Sequence, residues 1–129
     1  MAVQGPFPFL AQLASRQQTV DKRRAYLAAI EANERSLQIQ KKIDSDPKDP
    51  EALAGLRDLA SKFEAALRRQ GVLAAYSASM DGTAQEIAEA ETARKAGRSV
   101  ELRNAMMRAL ANINTIVVDL LERGPEADR

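Results

Sequence analysis

Residues 99–125 read SVELRNAMMRALANINTIVVDLLERGP. Within them Leu102, Met106, Ala109, Ile113, Ile116 and Leu120 recur every three or four positions, and Leu110, Val117 and Leu121 widen the stripe. That period marks the apolar face of an α-helix, whereas a half-buried strand would alternate residue by residue. The β-branched run Ile116-Val117-Val118 falls inside the helical stripe, so it does not argue for a strand. Ser99 is placed to cap the start with Glu101 behind it, and Gly124-Pro125 closes the end, which predicts a helix over 99–122. The stretch sets the fold class as all-α.

The same signals divide the rest of the chain. Thr83-Ala84-Gln85-Glu86 matches a capping box after an Asp81-Gly82 turn, which predicts a helix over 84–96 stopped by Gly97. Upstream, Asp49 reads as an N-cap with Pro50 at the first helical position and Glu51 in the first turn. The stripe Leu53, Leu56, Ala60, Phe63 and Leu67 follows, and Leu73, Tyr76 and Met80 resume it. The prediction is one helix over 50–80, with Gly71 a weak point costing about 1 kcal/mol relative to alanine. The first helix, over 9–43, carries Leu13, Val20 and Leu27 seven apart, with Ile30 and Leu37 set three positions after that register. Arg16, Arg23 and Glu34 interrupt this seam, and the run from Asp44 to Pro50 ends the helix. Residues 1–8 form a proline-bracketed, extended lead-in and 123–129 a polar tail, giving one domain over 1–129. The expected architecture is an elongated helical bundle of three long antiparallel passes, about 45–55 Å long, the third broken near Gly97. A four-helix bundle is the alternative.

Composition narrows the function. The chain of 129 residues has no histidine, cysteine or tryptophan, which removes the usual neutral-pH acid–base group and the strongest ready nucleophile. No nucleophile elbow, P-loop or Gly-rich dinucleotide turn is present, so the expectation is a non-enzymatic protein without cofactor or metal. Asp44, Asp46 and Asp49 suggest a calcium loop, but that pattern fails at Lys48, Asp49 and Gly55, and capping the turn explains the acids. Asp49-Pro50-Glu51-Ala52-Leu53 is like a tetratricopeptide turn, but no second copy follows. Thr83 to Ala88 opens like a helix-turn-helix reader, but Thr92 stands where its tight turn belongs. With 45% hydrophobic and 29% charged residues and a net charge of +1, the chain reads as a soluble globular protein without a strong overall field. No apolar run reaches the ~20 residues of a membrane span, and Met1–Leu13 lacks a basic start, so cytoplasmic synthesis is expected. Zero cysteine fits a reducing compartment.

Binding is the remaining destination. Phe7 and Phe9 stand in the stiff lead-in, where they either anchor a protein partner or another copy of the chain, together with Leu13, Tyr76 and Met80, or fold back as a hydrophobic staple on the chain's own bundle. The alternative is non-specific nucleic-acid binding through Arg23, Arg24, Arg68, Arg69, Arg94, Lys95 and Arg98. No aromatic residues interleave with these cations, and each group has acids nearby.

The segment from Arg68 to Thr83 holds small residues around one tyrosine, then a Gly-Thr turn. It resembles the Ala-Ala-Tyr-x-Ala-Ser … Gly-Ser/Thr corner of internal virion (DNA-ejection) proteins and related helical structural proteins of tailed bacteriophages. The resemblance spans about sixteen residues and departs at Met80-Asp81, where such proteins usually carry Gly-Val. It implies a helical subunit of a multi-subunit assembly, in its concrete form a phage particle or ejection component incorporated into a virion.

Overall fold

A computed structural model describes the backbone of residues 8–124 and the side chains of residues 24–124. Four α-helices follow one another: α1 (Pro8–Ser45), α2 (Pro50–Arg69), α3 (Ser77–Lys95) and α4 (Ser99–Arg123). No strand occurs among the described residues. The all-α expectation holds, and the bundle takes the four-helix form.

The turn into α2 forms as its residues dictate. The Asp49 side chain accepts the backbone N–H of Glu51 at 2.9 Å, and Asp46 accepts that of Lys48 at 3.0 Å. These acids satisfy open backbone donors at a helix start, which is work enough for the cluster. Pro50 opens the helix where its missing N–H costs nothing.

The predicted helix over 50–80 is instead two helices. At Gly71 the backbone takes φ +72°, the Val72 N–H donates to the Leu67 carbonyl at 3.0 Å, and the Gly71 N–H donates to that of Arg68 at 3.1 Å. This is a Schellman stop, and it needs the left-handed conformation that glycine adopts freely. A short 3-10 turn, Leu73–Tyr76, then leads into α3. The expected turn at Asp81-Gly82 lies inside α3, which starts at Ser77 rather than Ala84. Thr83 is not a cap; it is fully buried and donates its hydroxyl to the Ser79 carbonyl one turn back, at 2.8 Å. Gly82 serves proximity, because a Cβ there would come within 3.0 Å of the Asn112 side-chain nitrogen on α4.

A second Schellman stop reverses the chain after α3. Gly97 sits at φ +71°, and the Arg98 N–H donates to the Ala93 carbonyl at 2.9 Å. The third pass is therefore folded back rather than kinked. Arg108 meets Glu86 at 3.0 Å while Gly82, one turn earlier on α3, faces Asn112, one turn later on α4, fixing the two helices as antiparallel neighbours. On the far side of α4, the Ser36 hydroxyl donates to Asn114 at 3.2 Å and Arg103 meets Asp44 at 3.5 Å, so α4 is also antiparallel to α1. With α2 beside both α1 and α3, the helices form a closed ring in chain order.

The core fills this ring. α4 buries nine residues, from Leu102 to Leu120, including every member of the six-residue stripe that sets the fold class. α2 contributes Leu53, Leu56, Leu59, Phe63 and Leu67. α1 presents Ala25, Ala29, Ala32, Ser36, Ile39 and Ile43, all at most 5% exposed. Their spacing alternates four and three, the signature of a helix packed along one seam. Small residues dominate that seam, so α1 lies close against its neighbours. At about 1.5 Å per residue the 38 residues of α1 span about 57 Å, against about 38 Å for the 25 of α4.

Candidate functional site

α1 carries a second seam. Leu27, Ile30 and Leu37 are 50%, 36% and 53% exposed, while Ala25, Ala29 and Ala32 on the same helix are buried. At about 100° per residue, these three and Glu34 centre about 150° around the helix from the line of Ala25, Ala29, Ala32 and Ser36. Leu27 borders the open groove against the end of α2, beside Ala66 and Gln70, and with Ile30 and Leu37 it stays outside the core. Among the described residues Val100 and Val118 are the other exposed large hydrophobics, and each stands alone. Isolated exposed apolar residues are ordinary, whereas a row in one register along a helix is not.

The register continues upstream. Leu13 and Val20 share the seven-residue spacing of Leu27, and Phe9 shares that of Ile30 and Leu37. The inner seam behaves differently: stepping back from Ala25 by threes and fours meets Lys22, Gln18 and Ser15. The inner face thus loses its apolar pattern near residue 25. The antiparallel pairings Ser36–Asn114 and Asp44–Arg103 bring the last residues of α4 level with about that point. The outer face keeps its pattern.

Of the partner-binding residues expected from the sequence, Met80 is 5% exposed and belongs to the core, so it is not offered to a partner. Tyr76 is half-buried and donates its hydroxyl to Asp119 on α4, which also pairs with Arg123 at 3.1 Å. The corner from Arg68 to Thr83 is tied to the bundle's own end by this contact. Phe7 lies outside the described residues, as do the side chains of Phe9, Leu13 and Arg23. Leu27, Ile30 and Leu37 were legible as part of a seam, but the sequence alone did not mark them as outward. The signal that finds them is the competing row of small residues at the same spacing.

Burial first, and then the bond to Asp119, push the Tyr76 phenol up to about 12 from its ordinary 10.0. The folded protein holds that proton more tightly than the unfolded chain. The stabilisation is complete below about pH 10 and is lost as pH rises towards about 12. Tyr76→Phe should cost about 1 kcal/mol at neutral pH and flatten the alkaline decline, as read by urea denaturation across that range.

The expected nucleic-acid cations do not converge. Arg68 and Arg69 occupy the last turn of α2, and Arg94 and Lys95 the last turn of α3. Positive charge there complements the carbonyl end of each helix dipole. Because α2 and α3 run oppositely, the pairs sit at opposite ends of the bundle, about 29 Å apart over the 19 residues of α3. Arg68 pairs with Glu64 at 3.6 Å and Arg98 with Glu101 at 3.3 Å. Arg24 lies at the α2 end, beside Arg69. No continuous basic stripe results among the described residues.

One polar cluster remains. Arg108 holds the Glu86 carboxyl below the usual carboxylate range, and the other Glu86 oxygen is buried without a hydrogen-bond partner among the described residues. No group of acids there could hold a metal ion among the described residues. The cluster is an interhelical ion pair fastening α3 to α4. No protein-family model matches the chain, and neither a curated protein nor a solved structure does. Function has to be argued from the surface itself.

Proposed function

We propose that this chain is a non-enzymatic helical subunit that works inside a multi-subunit assembly, docking through the outward face of α1. The observation that carries the reading is the exposed row Leu27, Ile30 and Leu37, opposite a complete inner seam. The bundle's core is already filled by Ala, Ile, Leu, Met and Val from all four helices, so these residues contribute nothing to it. Leaving such a row in water forgoes stabilisation that burial against another helix would supply, about 1.5–3 kcal/mol for each fully covered side chain.

The corner resemblance makes a tailed-phage particle or DNA-ejection component the concrete form of this proposal, with the chain made in the cytoplasm and packed into a virion. Nucleic-acid binding through the basic helix ends is the weaker reading, since those ends are separated and partly ion-paired. No helix among the described residues is long and apolar enough to cross a membrane, so a protein surface is the natural counterpart of the seam.

Changing Leu27, Ile30 and Leu37 together to glutamine tests the reading. Each site is an exposed helix position, so the melting temperature should fall by no more than a few degrees, within about 0.5 kcal/mol per substitution. Association, read by sedimentation velocity at micromolar concentration, should be lost. A variant that melts much earlier instead would show that the seam is covered by the chain itself, and the proposal would fall.

A further inference from the structure

The charges that interrupt the outer seam specify what covers it. In a parallel, in-register pair of α1 helices, Arg23 would face Arg23 and Glu34 would face Glu34 inside the seam, setting like charges together. An antiparallel pair behaves differently. If Leu27 of one helix lies against Ile30 of the other, the seven-residue repeat places Val20 against Leu37 and Arg23 against Glu34, each twice by symmetry. The positions flanking the seam then set Arg24 across from Glu31. The row is self-complementary only when read backwards.

We infer that the outward face of α1 is the contact surface for a second copy of this chain, the two α1 helices packing antiparallel about an axis between Ala28 and Ala29. The inference rests on the proposed role of the outward face and names its occupant. Three observations support it. Leu27, Ile30 and Leu37 are exposed on the face opposite the buried seam. The seam stays apolar upstream of residue 25, at Val20, where the inner register turns to Lys22, Gln18 and Ser15. That upstream part of α1 gains a surface to lie on, namely the outer face of the other copy's α1 between Glu34 and Lys41. The charge order also closes on itself, as a two-fold interface demands, because the same patch must serve both copies. In the same register Arg16 falls against Lys41 and Leu13 against Asp44, so the complementary part of the seam runs from Val20 to Leu37.

Sedimentation equilibrium on the full chain provides the test. The wild type should be a dimer at micromolar concentration. Arg23→Glu alone and Glu34→Arg alone should each weaken it about ten-fold or more, since close interfacial charge pairs couple strongly. Combining the two should restore the dimer to within a few-fold. The chain contains no cysteine, so single thiols report geometry cleanly. Val20→Cys mixed with Leu37→Cys should cross-link on oxidation, while neither should cross-link alone. Homotypic cross-links from either variant would overturn the antiparallel arrangement. A wild type that stays monomeric at about 100 μM, far above a micromolar dissociation constant, would overturn self-pairing altogether. If the Leu27, Ile30 and Leu37 glutamine variant then keeps its melting temperature, the outward face survives as a surface for a different protein. If that variant unfolds early, both readings fall.

Discussion

Ile43→Ala should lower the stability of the isolated protein by about 2–5 kcal/mol, whereas Leu37→Ala, six residues away on the same helix, should change it by less than about 0.5 kcal/mol. Ile43 is fully buried and Leu37 is 53% exposed. Truncating Ile43 removes apolar contacts and leaves a cavity that α2 and α4 can only partly close, because their positions are set by many other buried side chains. Truncating Leu37 leaves nothing empty inside the chain. For a chain of this size, Ile43→Ala should lower the melting temperature by about 8–20 °C. Differential scanning calorimetry on the two variants, in a background carrying only Leu27→Gln and Ile30→Gln to weaken association, reads the contrast directly. Equal losses would show that the two faces of α1 are not divided as described.

The second large effect comes from adding volume. Ala29 is fully buried at the middle of the inner seam, flanked by Ala25 and Ala32. Ala29→Leu must force α1 outward or push its neighbours off their rotamers, at a cost of about 1–3 kcal/mol. Ala54→Leu, on the exposed side of α2, should change little and serves as the propensity control. Guanidinium denaturation distinguishes them: the Ala29 variant should show an earlier midpoint with an unchanged slope, meaning the same unfolding with less stability. An unaltered midpoint would mean that α1 is not seated on its alanine row.

Some parts of this fold were plain in the sequence and others were not, for reasons that differ between elements. The α4 stripe was readable because one residue class recurs over about five turns and nothing competes with it. Asp49-Pro50-Glu51 was readable because capping chemistry is local, needing only residues within one turn. Gly71 was misread although its signals were present: Arg68 and Arg69 in the last turn, the glycine, then an apolar Val72. The resumed apolar pattern at Leu73, Tyr76 and Met80 outweighed them, yet those residues belong to a new segment packing on the same core. Asp81-Gly82 failed for the opposite reason, since Gly82 answers to Asn112 thirty residues away, a contact that no local rule contains. The outward seam of α1 was half legible. Its spacing was visible, but its direction depends on which of two rows the other helices choose, and they choose the smaller side chains.

The ring order of the helices bears on how the molecule comes into being. α1 and α2 are joined by the four residues 46–49, and α3 and α4 by the three residues 96–98, so both pairs can form from contacts close together along the chain. Contacts of that kind carry little loop-closure entropy and favour folding in the millisecond range or faster. The α1–α4 contact is different, because Ser36 and Asn114 are 78 positions apart. During synthesis, at about 5–20 residues per second, α1 and α2 exist for seconds before α4 emerges to close the ring. Throughout that interval the side of α1's alanine row that α4 will cover stays open alongside the leucine row, and α2 alone marks which face is inside.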